Sequence, residues 1–210
     1  MLIVSMGFVF QTKPKSKPVK KTGKVTKENK EKIIEITTQF GSMYIWLFKA
    51  TPLHRANFIK LTESKFYDST TFHRVIPGFM IQGGDPNSKD NNPNNDGQGG
   101  PGYTIPAEFV DSFKHDRGMI AAARMGDQVN PKKASSGSQF YICSSKEQTH
   151  FLDGQYTVFG YVMKGMNVLD SIEQQKVNYY DRPYKDIKMT LKTIEKTKSE
   201  IIAEYHYVPR

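Results

Sequence analysis

Phe72-His73-Arg74-Val75-Ile76-Pro77-Gly78-Phe79-Met80-Ile81-Gln82-Gly83-Gly84-Asp85-Pro86 is the stretch on which the reading of this chain turns. Strand alternation puts Phe72, Arg74 and Ile76 on one face before the Pro77-Gly78 break, and Met80 and Gln82 on one face after it. Pro presets φ and Gly tolerates positive φ, so the break reads as a turn, and Gly83-Gly84 lets the chain leave the strand sharply. The expected product is a guanidinium beside an amide at the rim of an apolar patch. That patch has no nucleophile, no carboxylate pair and no metal-ligand cluster.

Outward from this stretch, the 210 residues suit one domain with appendages. Nine of the lysines fall between Gln11 and Lys32 against Glu28 and Glu31, a balance of +7 out of the chain's +9. The basicity therefore belongs to a Pro- and Gly-containing tail too poor in apolar residues to form a core, and it says little about the folded part. Met1 to Phe10 is a continuous apolar run, short of the roughly 20 residues that span a bilayer. It reads as the apolar part of an export signal or as a short anchor, which places the protein in the periplasm or cell envelope of a bacterium. A cytoplasmic N-terminal extension is the alternative. The organisation expected is an apolar segment over 1–10, a lysine-rich linker over 11–31, a domain over 32–196 and a C-terminal extension over 197–210. Cys143, the single cysteine, sits in an apolar strand and reads as a buried, inert thiol.

Strands are expected at Ile33–Thr38 and Ser42–Phe48 as a hairpin, then at Thr70–Ile76, Phe79–Gly83, Tyr103–Ala107, Gly118–Arg124, Gln139–Ser144, Tyr156–Val162 and Ile187–Ile194. Thr51-Pro52 starts a helix with Thr as N-cap and Pro at N1, with a buried stripe of Leu53, Ala56 and Ile59/Lys60. A second helix runs from Gly165 or Asn167 to Gln174. The residues after Lys196 either pack as a short helix or trail off. Short antiparallel strands with two helices predict a mainly β fold, a barrel closed at both ends. Pro86–Gly102 and Met125–Ser138 are polar loops. The acidic residues of the first lack the spacing and closing Glu of a calcium loop, so no metal site is expected.

These residues carry a resemblance to the cyclophilins, the cyclosporin-type peptidyl-prolyl cis–trans isomerases. Phe72–Asp85 is similar to the family signature almost letter for letter, and Gly99-Gly100-Pro101-Gly102-Tyr103, Gly137-Ser138-Gln139-Phe140-Tyr141-Ile142, Phe151-Leu152-Asp153-Gly154 and Val158-Phe159-Gly160 follow in the family's order. The resemblance covers Lys32 to Lys196, and the intervening segments look closer to bacterial members than to eukaryotic ones. It implies an eight-stranded antiparallel barrel capped by two α-helices, with isomerisation of X-Pro bonds in unfolded or flexible protein segments and no cofactor. It further implies Arg74 as the catalytic cation and Gln82 as the residue that orients it. Phe79, Met80, Tyr141 and Leu152 are implied as the proline socket, Ala123 and Gln139 along the groove, and Phe151 and Tyr156 at its edges.

Several positions depart from the family pattern. Phe151 stands where many members have tryptophan, so cyclosporin affinity is expected to be weak. Tyr156 replaces a histidine, Tyr141 replaces phenylalanine and adds a hydroxyl at the socket floor, and Arg124 and Met125 narrow or recharge the groove. His73, beside Arg74, is expected to be structural. Trp46, the single tryptophan, falls on an outward strand face with Tyr44. It is expected either to lie beneath the C-terminal extension or to form an exposed patch for a protein partner. An alternative reading of function follows: a binding subunit held in a larger complex through the lysine-rich tail, the Tyr44/Trp46 face or the C-terminal extension. Nucleic-acid binding is not expected, because the lysine tail has no interleaved aromatics, and neither is a transmembrane span.

Overall fold

The computed structural model describes residues 28–145 and 147–209. The apolar run over 1–10 and most of the lysine-rich tail lie outside the described residues.

The described chain begins with β1 (Lys30–Thr38) and β2 (Gly41–Leu47), the expected hairpin, followed by α1 (Pro52–Glu63). Next come β3 (Arg74–Ile76), β4 (Met80–Gly83), β5 (Thr104–Ile105), β6 (Met119–Ala122), β7 (Ser135–Ser136) and β8 (Phe140–Cys143). The chain ends with β9 (Val158–Lys164), α2 (Met166–Glu173), β10 (Met189–Thr197) and α3 (Lys198–Tyr205). Eight strands form one antiparallel sheet in the order β10-β1-β2-β9-β6-β8-β4-β3. Its two ends meet through the segment just before β3. Ser69 N donates to Met189 O, Met189 N to Thr70 O and Phe72 N to Ile187 O, with Thr71 bridged to Lys188. The sheet thereby closes into a barrel.

Three expectations need correction. The strand read over Thr70–Ile76 is broken at His73: its first part pairs with the start of β10, its second with β4. Period-two alternation holds only along a continuous strand, so Phe72 turns into the barrel against Phe140 while Arg74 faces out. The stretch Tyr103–Ala107 contributes only β5, which pairs with β7 outside the main sheet. In α1, Leu53 and Ala56 are exposed, and the buried side carries His54, Phe58, Ile59, Leu61 and Thr62. Thr51 occupies the N-cap position, but its hydroxyl donates to Phe48 O. The open N–H groups of Leu53 and His54 instead reach the Glu108 carboxylate at 2.9 Å each, which supplies both a hydrogen-bond acceptor and a negative charge at the helix start.

Apolar side chains form two layers. The barrel interior holds Ile36, Ile45, Leu47, Val75, Ile81, Ile120, Phe140 and Phe159, closed by Phe58 and Leu61 of α1 and by Leu169 and Ile172 of α2. A second layer lies on the outer face of the sheet, running from Met80, Tyr141 and Leu152 through Phe48 and Val158 to Trp46, Ile201 and Tyr205. The third helix, α3, builds one end of that layer. It opens with a capping box in which Glu200 N donates to the Thr197 hydroxyl and Thr197 N to the Glu200 carboxylate. Tyr205 then packs 5.3 Å from Tyr44, and Tyr207 lies 6.4 Å from Trp46, ring centroid to centroid. Trp46 is fully buried, so the exposed Tyr44/Trp46 patch does not exist in this fold. Cys143 is buried in β8, where desolvation pushes its thiol up to about 12.

Because Trp46 is the only tryptophan, its fluorescence reports directly on α3. Ile201→Ala is expected to cost about 2–5 kcal/mol in urea unfolding. Removing residues 198–210 is expected to red-shift Trp46 emission and to open it to acrylamide quenching. Unchanged quenching would show that α3 does not cover the indole.

Candidate active site

The hairpin β3–β4 is the core of the site. Phe79 N donates to Ile76 O at 3.0 Å across the turn, and Gly78 has φ +74°, the left-handed conformation glycine adopts freely. The Gly78 N–H donates to the Glu173 carboxylate at the end of α2, which also accepts from the Ser144 hydroxyl. With the turn anchored, the register puts Arg74 opposite Gln82 and Ile76 opposite Met80, and β8 brings Tyr141 alongside Gln82.

Arg74, Phe79, Met80, Gln82, Ala123, Arg124, Tyr141, Leu152 and Tyr156 line one cavity of about 190 Å³. Among the anticipated residues, two lie elsewhere. Gln139 lines the broader adjoining groove of about 1040 Å³, which shares Gln82, Ala123 and Arg124 with the cavity. Its amide donates to Gly97 O and Gly99 O, and Gln82 Nε2 donates to Gln139 Oε1 at 3.0 Å. Phe151 is 70% exposed and stacks on the back of Phe79 with ring centroids 5.7 Å apart, an outer buttress to the cavity wall.

Two guanidiniums line the cavity, those of Arg74 and Arg124. That of Arg124 is held by Gln155 O, Met125 O and the Asp127 carboxylate and lies 4.6 Å over the Tyr156 ring. Its charge is balanced locally by the Asp127 carboxylate. Arg74 is 45% exposed, with its Nε 3.6 Å from the Asp181 carboxylate. Gln82 is hydrogen-bonded to Gln139, so the expected contact from Gln82 to Arg74 is not seen among the described residues, and the carboxylate beside Arg74 is that of Asp181.

The floor is polar beneath. The Tyr141 hydroxyl lies 3.0 Å from His115 Nε2, and His115 Nδ1 lies 2.8 Å from the Asp153 carboxylate. The carboxylate fixes the proton on Nδ1, so Nε2 accepts from the tyrosine. Burial pushes the Tyr141 phenol well above its ordinary value. Burial also lowers the pKa of His115 despite the opposing pull of Asp153. Neither His115 as the partner of Tyr141 nor the link from His115 to Asp153 was legible from the motif that contains Tyr141. His73 is buried, as a structural role requires. Among the described residues, no group of three or more His, Cys, Asp or Glu is placed to hold a metal ion.

The residues 33–193 match the family model described as cyclophilin type peptidyl-prolyl cis-trans isomerase/CLD. The chain belongs to the cyclophilins. Over 166 residues this cyclophilin is 39% identical to a peptidyl-prolyl cis-trans isomerase of Arabidopsis thaliana, covering 77% of the chain and 94% of the relative. Over 126 residues it is 43% identical to one of Synechococcus elongatus, covering 60% of the chain and 76% of the relative. These relatives place the cyclophilin in the family without tying it to bacterial members. A crystal structure of a Cryptosporidium parvum cyclophilin type peptidyl-prolyl cis-trans isomerase, obtained in the presence of the dipeptide Ala-Pro, superposes with a TM-score of 0.66 at 30% identity. That likeness covers 76% of this chain and 96% of the other.

His54, His73 and His115 are all buried in the neutral form, each lowered chiefly by desolvation from an ordinary value of 6.5. The unfolded chain takes up these protons more readily than the fold does, so stability is complete above pH 6.5 and is lost as pH falls through the lowered folded values. The urea midpoint is expected to hold between about pH 8 and 6.5 and to drop towards pH 5. A midpoint flat across that range would contradict the buried neutral imidazoles.

Proposed function

We propose that this cyclophilin isomerises X-Pro bonds in unfolded or flexible protein segments, with the proline ring seated in the cavity formed by Phe79, Met80, Tyr141 and Leu152 and with Arg74 as the acting cation. The observation that carries this reading is a guanidinium at the rim of an apolar cavity, placed there by the register of Arg74 with Gln82. Rotation about an X-Pro amide is slow because it breaks amide resonance, a barrier of about 18–20 kcal/mol. No bond to carbon need be broken. The prolyl nitrogen acquires a lone pair only as the amide twists, so a donor aimed at it binds the transition state more tightly than the ground state, which accelerates the step. Arginine stays protonated and offers several N–H groups from one rigid plane. Gln82, steadied by Gln139, presents its amide to the peptide backbone on the groove side. The Ala-Pro dipeptide used with the Cryptosporidium parvum relative supports a proline-containing substrate.

The setting we propose is the cell envelope, on the strength of the apolar run over 1–10 and the cationic stretch that follows it. Fractionation of cells with sequencing of the mature N-terminus tests this, and full-length protein in the soluble cytoplasmic fraction would refute it.

Arg74→Ala is expected to reduce turnover of a proline peptide by about 100-fold or more while the melting temperature stays within about 1–2 °C, because the residue is half-exposed. Turnover within a few-fold of wild type would remove Arg74 from the mechanism.

A further inference from the structure

The segment between α2 and β10 delivers a carboxylate to Arg74. Val177 and Pro183 form an isolated bridge, Asn178 N donates to Arg182 O, and the Asn178 side-chain oxygen accepts from the N–H groups of Tyr180 and Arg182. Arg182 then ties the base of this turn to the 86–102 loop through Asp96 at 2.7 Å and to its own segment through Asp186 at 2.9 Å. At its tip, Asp181 has φ +61°, a left-handed conformation that is uncommon outside glycine but better tolerated by Asp and Asn. Two contacts fix that tip on the hairpin. Val75 N donates to Asp181 O at 2.7 Å, and the Asp181 side chain lies 3.6 Å from Arg74 Nε.

We propose that Asp181 is a positioning residue for isomerisation, holding the inner end of the Arg74 guanidinium so that its terminal N–H groups stay aimed at the prolyl nitrogen. The proposal rests on Arg74 as the acting cation. An arginine side chain on a three-residue strand, half-exposed, samples many rotamers, and each lost rotamer counts against the transition state unless it is already lost in the free enzyme. Asp181 restricts that freedom from the Nε side and leaves the fork open. At 45% and 40% exposure the pair adds little to stability, so its effect falls on geometry. The backbone bond from Val75 uses the Asp181 carbonyl, not its side chain, so the side chain can be changed with the turn kept in place.

Asp181→Asn keeps a residue that accepts the left-handed conformation, and Asp181→Glu restores the charge one methylene further out. In a coupled assay with a proline peptide, Asp181→Asn is expected to lower kcat about tenfold with KM within about twofold, and Asp181→Glu to recover part of the loss. In the Arg74→Ala background Asp181→Asn is expected to change nothing further. By NMR, exchange of the Arg74 Nε–H with water is expected to be slower in the wild type than in Asp181→Asn, and intermediate in Asp181→Glu. If Arg74→Ala retains turnover, the reading of Arg74 fails and the proposal with it. If Arg74→Ala loses turnover while Asp181→Asn is unchanged or faster, only the positioning role fails, a rise meaning that the carboxylate competes with substrate for the cation. Loss of melting temperature without any change in the Arg74 Nε–H signal would also overturn it.

Discussion

The pairing of β3 with β4 is the constraint on which the site depends. A left-handed Gly78 closes the turn, Glu173 at the end of α2 takes the Gly78 N–H, and the register that results sets Arg74 across from Gln82 and Ile76 across from Met80. A slip of one residue would exchange the two faces: Arg74 and Met80 would enter the barrel, and Val75 and Ile81 would face the groove. The interior layer resists that slip, since Val75 and Ile81 are fully buried among Ile120, Phe140 and Ile142. Barrel packing thus holds the register of Arg74 and Gln82, although none of the interior cluster lines the cavity of about 190 Å³.

The outer layer is continuous from the cavity to the C-terminal helix. An outward strand face bearing Trp46 would leave a large apolar patch in water, and this chain covers it with its own α3 and the tyrosines behind it. The cover is local, built by a helix that follows β10 without a loop and is fixed by its own capping box. It also removes the Tyr44/Trp46 face as a means of docking into a larger assembly, and with it one support for the reading of this protein as a binding subunit.

What the sequence made legible was what depends on neighbours along the chain. The Pro77-Gly78 turn, the β1–β2 hairpin, the start of α1 at Pro52 and the cavity residues Phe79, Met80, Tyr141 and Leu152 all followed from local signals or from motifs in order. What escaped was what depends on distant partners. Glu108 caps α1 from another part of the chain, His115 holds the Tyr141 hydroxyl, and Asp181 faces Arg74 from the turn after α2. The buried side of α1 was misread because it carries polar His54 and Thr62, while apolar Leu53 and Ala56 point to solvent. The bend at His73 was invisible because the residues on either side alternate as a single strand would. One signal was available and unused: Thr197-Lys198-Ser199-Glu200 has the Thr-x-x-Glu spacing of a capping box, which marks the start of α3.

The central claim is that Arg74 acts on the twisted amide and contributes little to holding the ground state. The direct measurement is NMR exchange on a bound Ala-Pro peptide, which yields the dissociation constant and the cis–trans interconversion rate on the enzyme separately. The comparison is between the wild type and a protein carrying citrulline at position 74, which keeps the shape of arginine and removes its charge. The expected result is an interconversion rate lower by about 100-fold at a dissociation constant changed less than about threefold. Weaker binding with an unchanged on-enzyme rate would contradict it, because Arg74 would then serve only to hold the peptide.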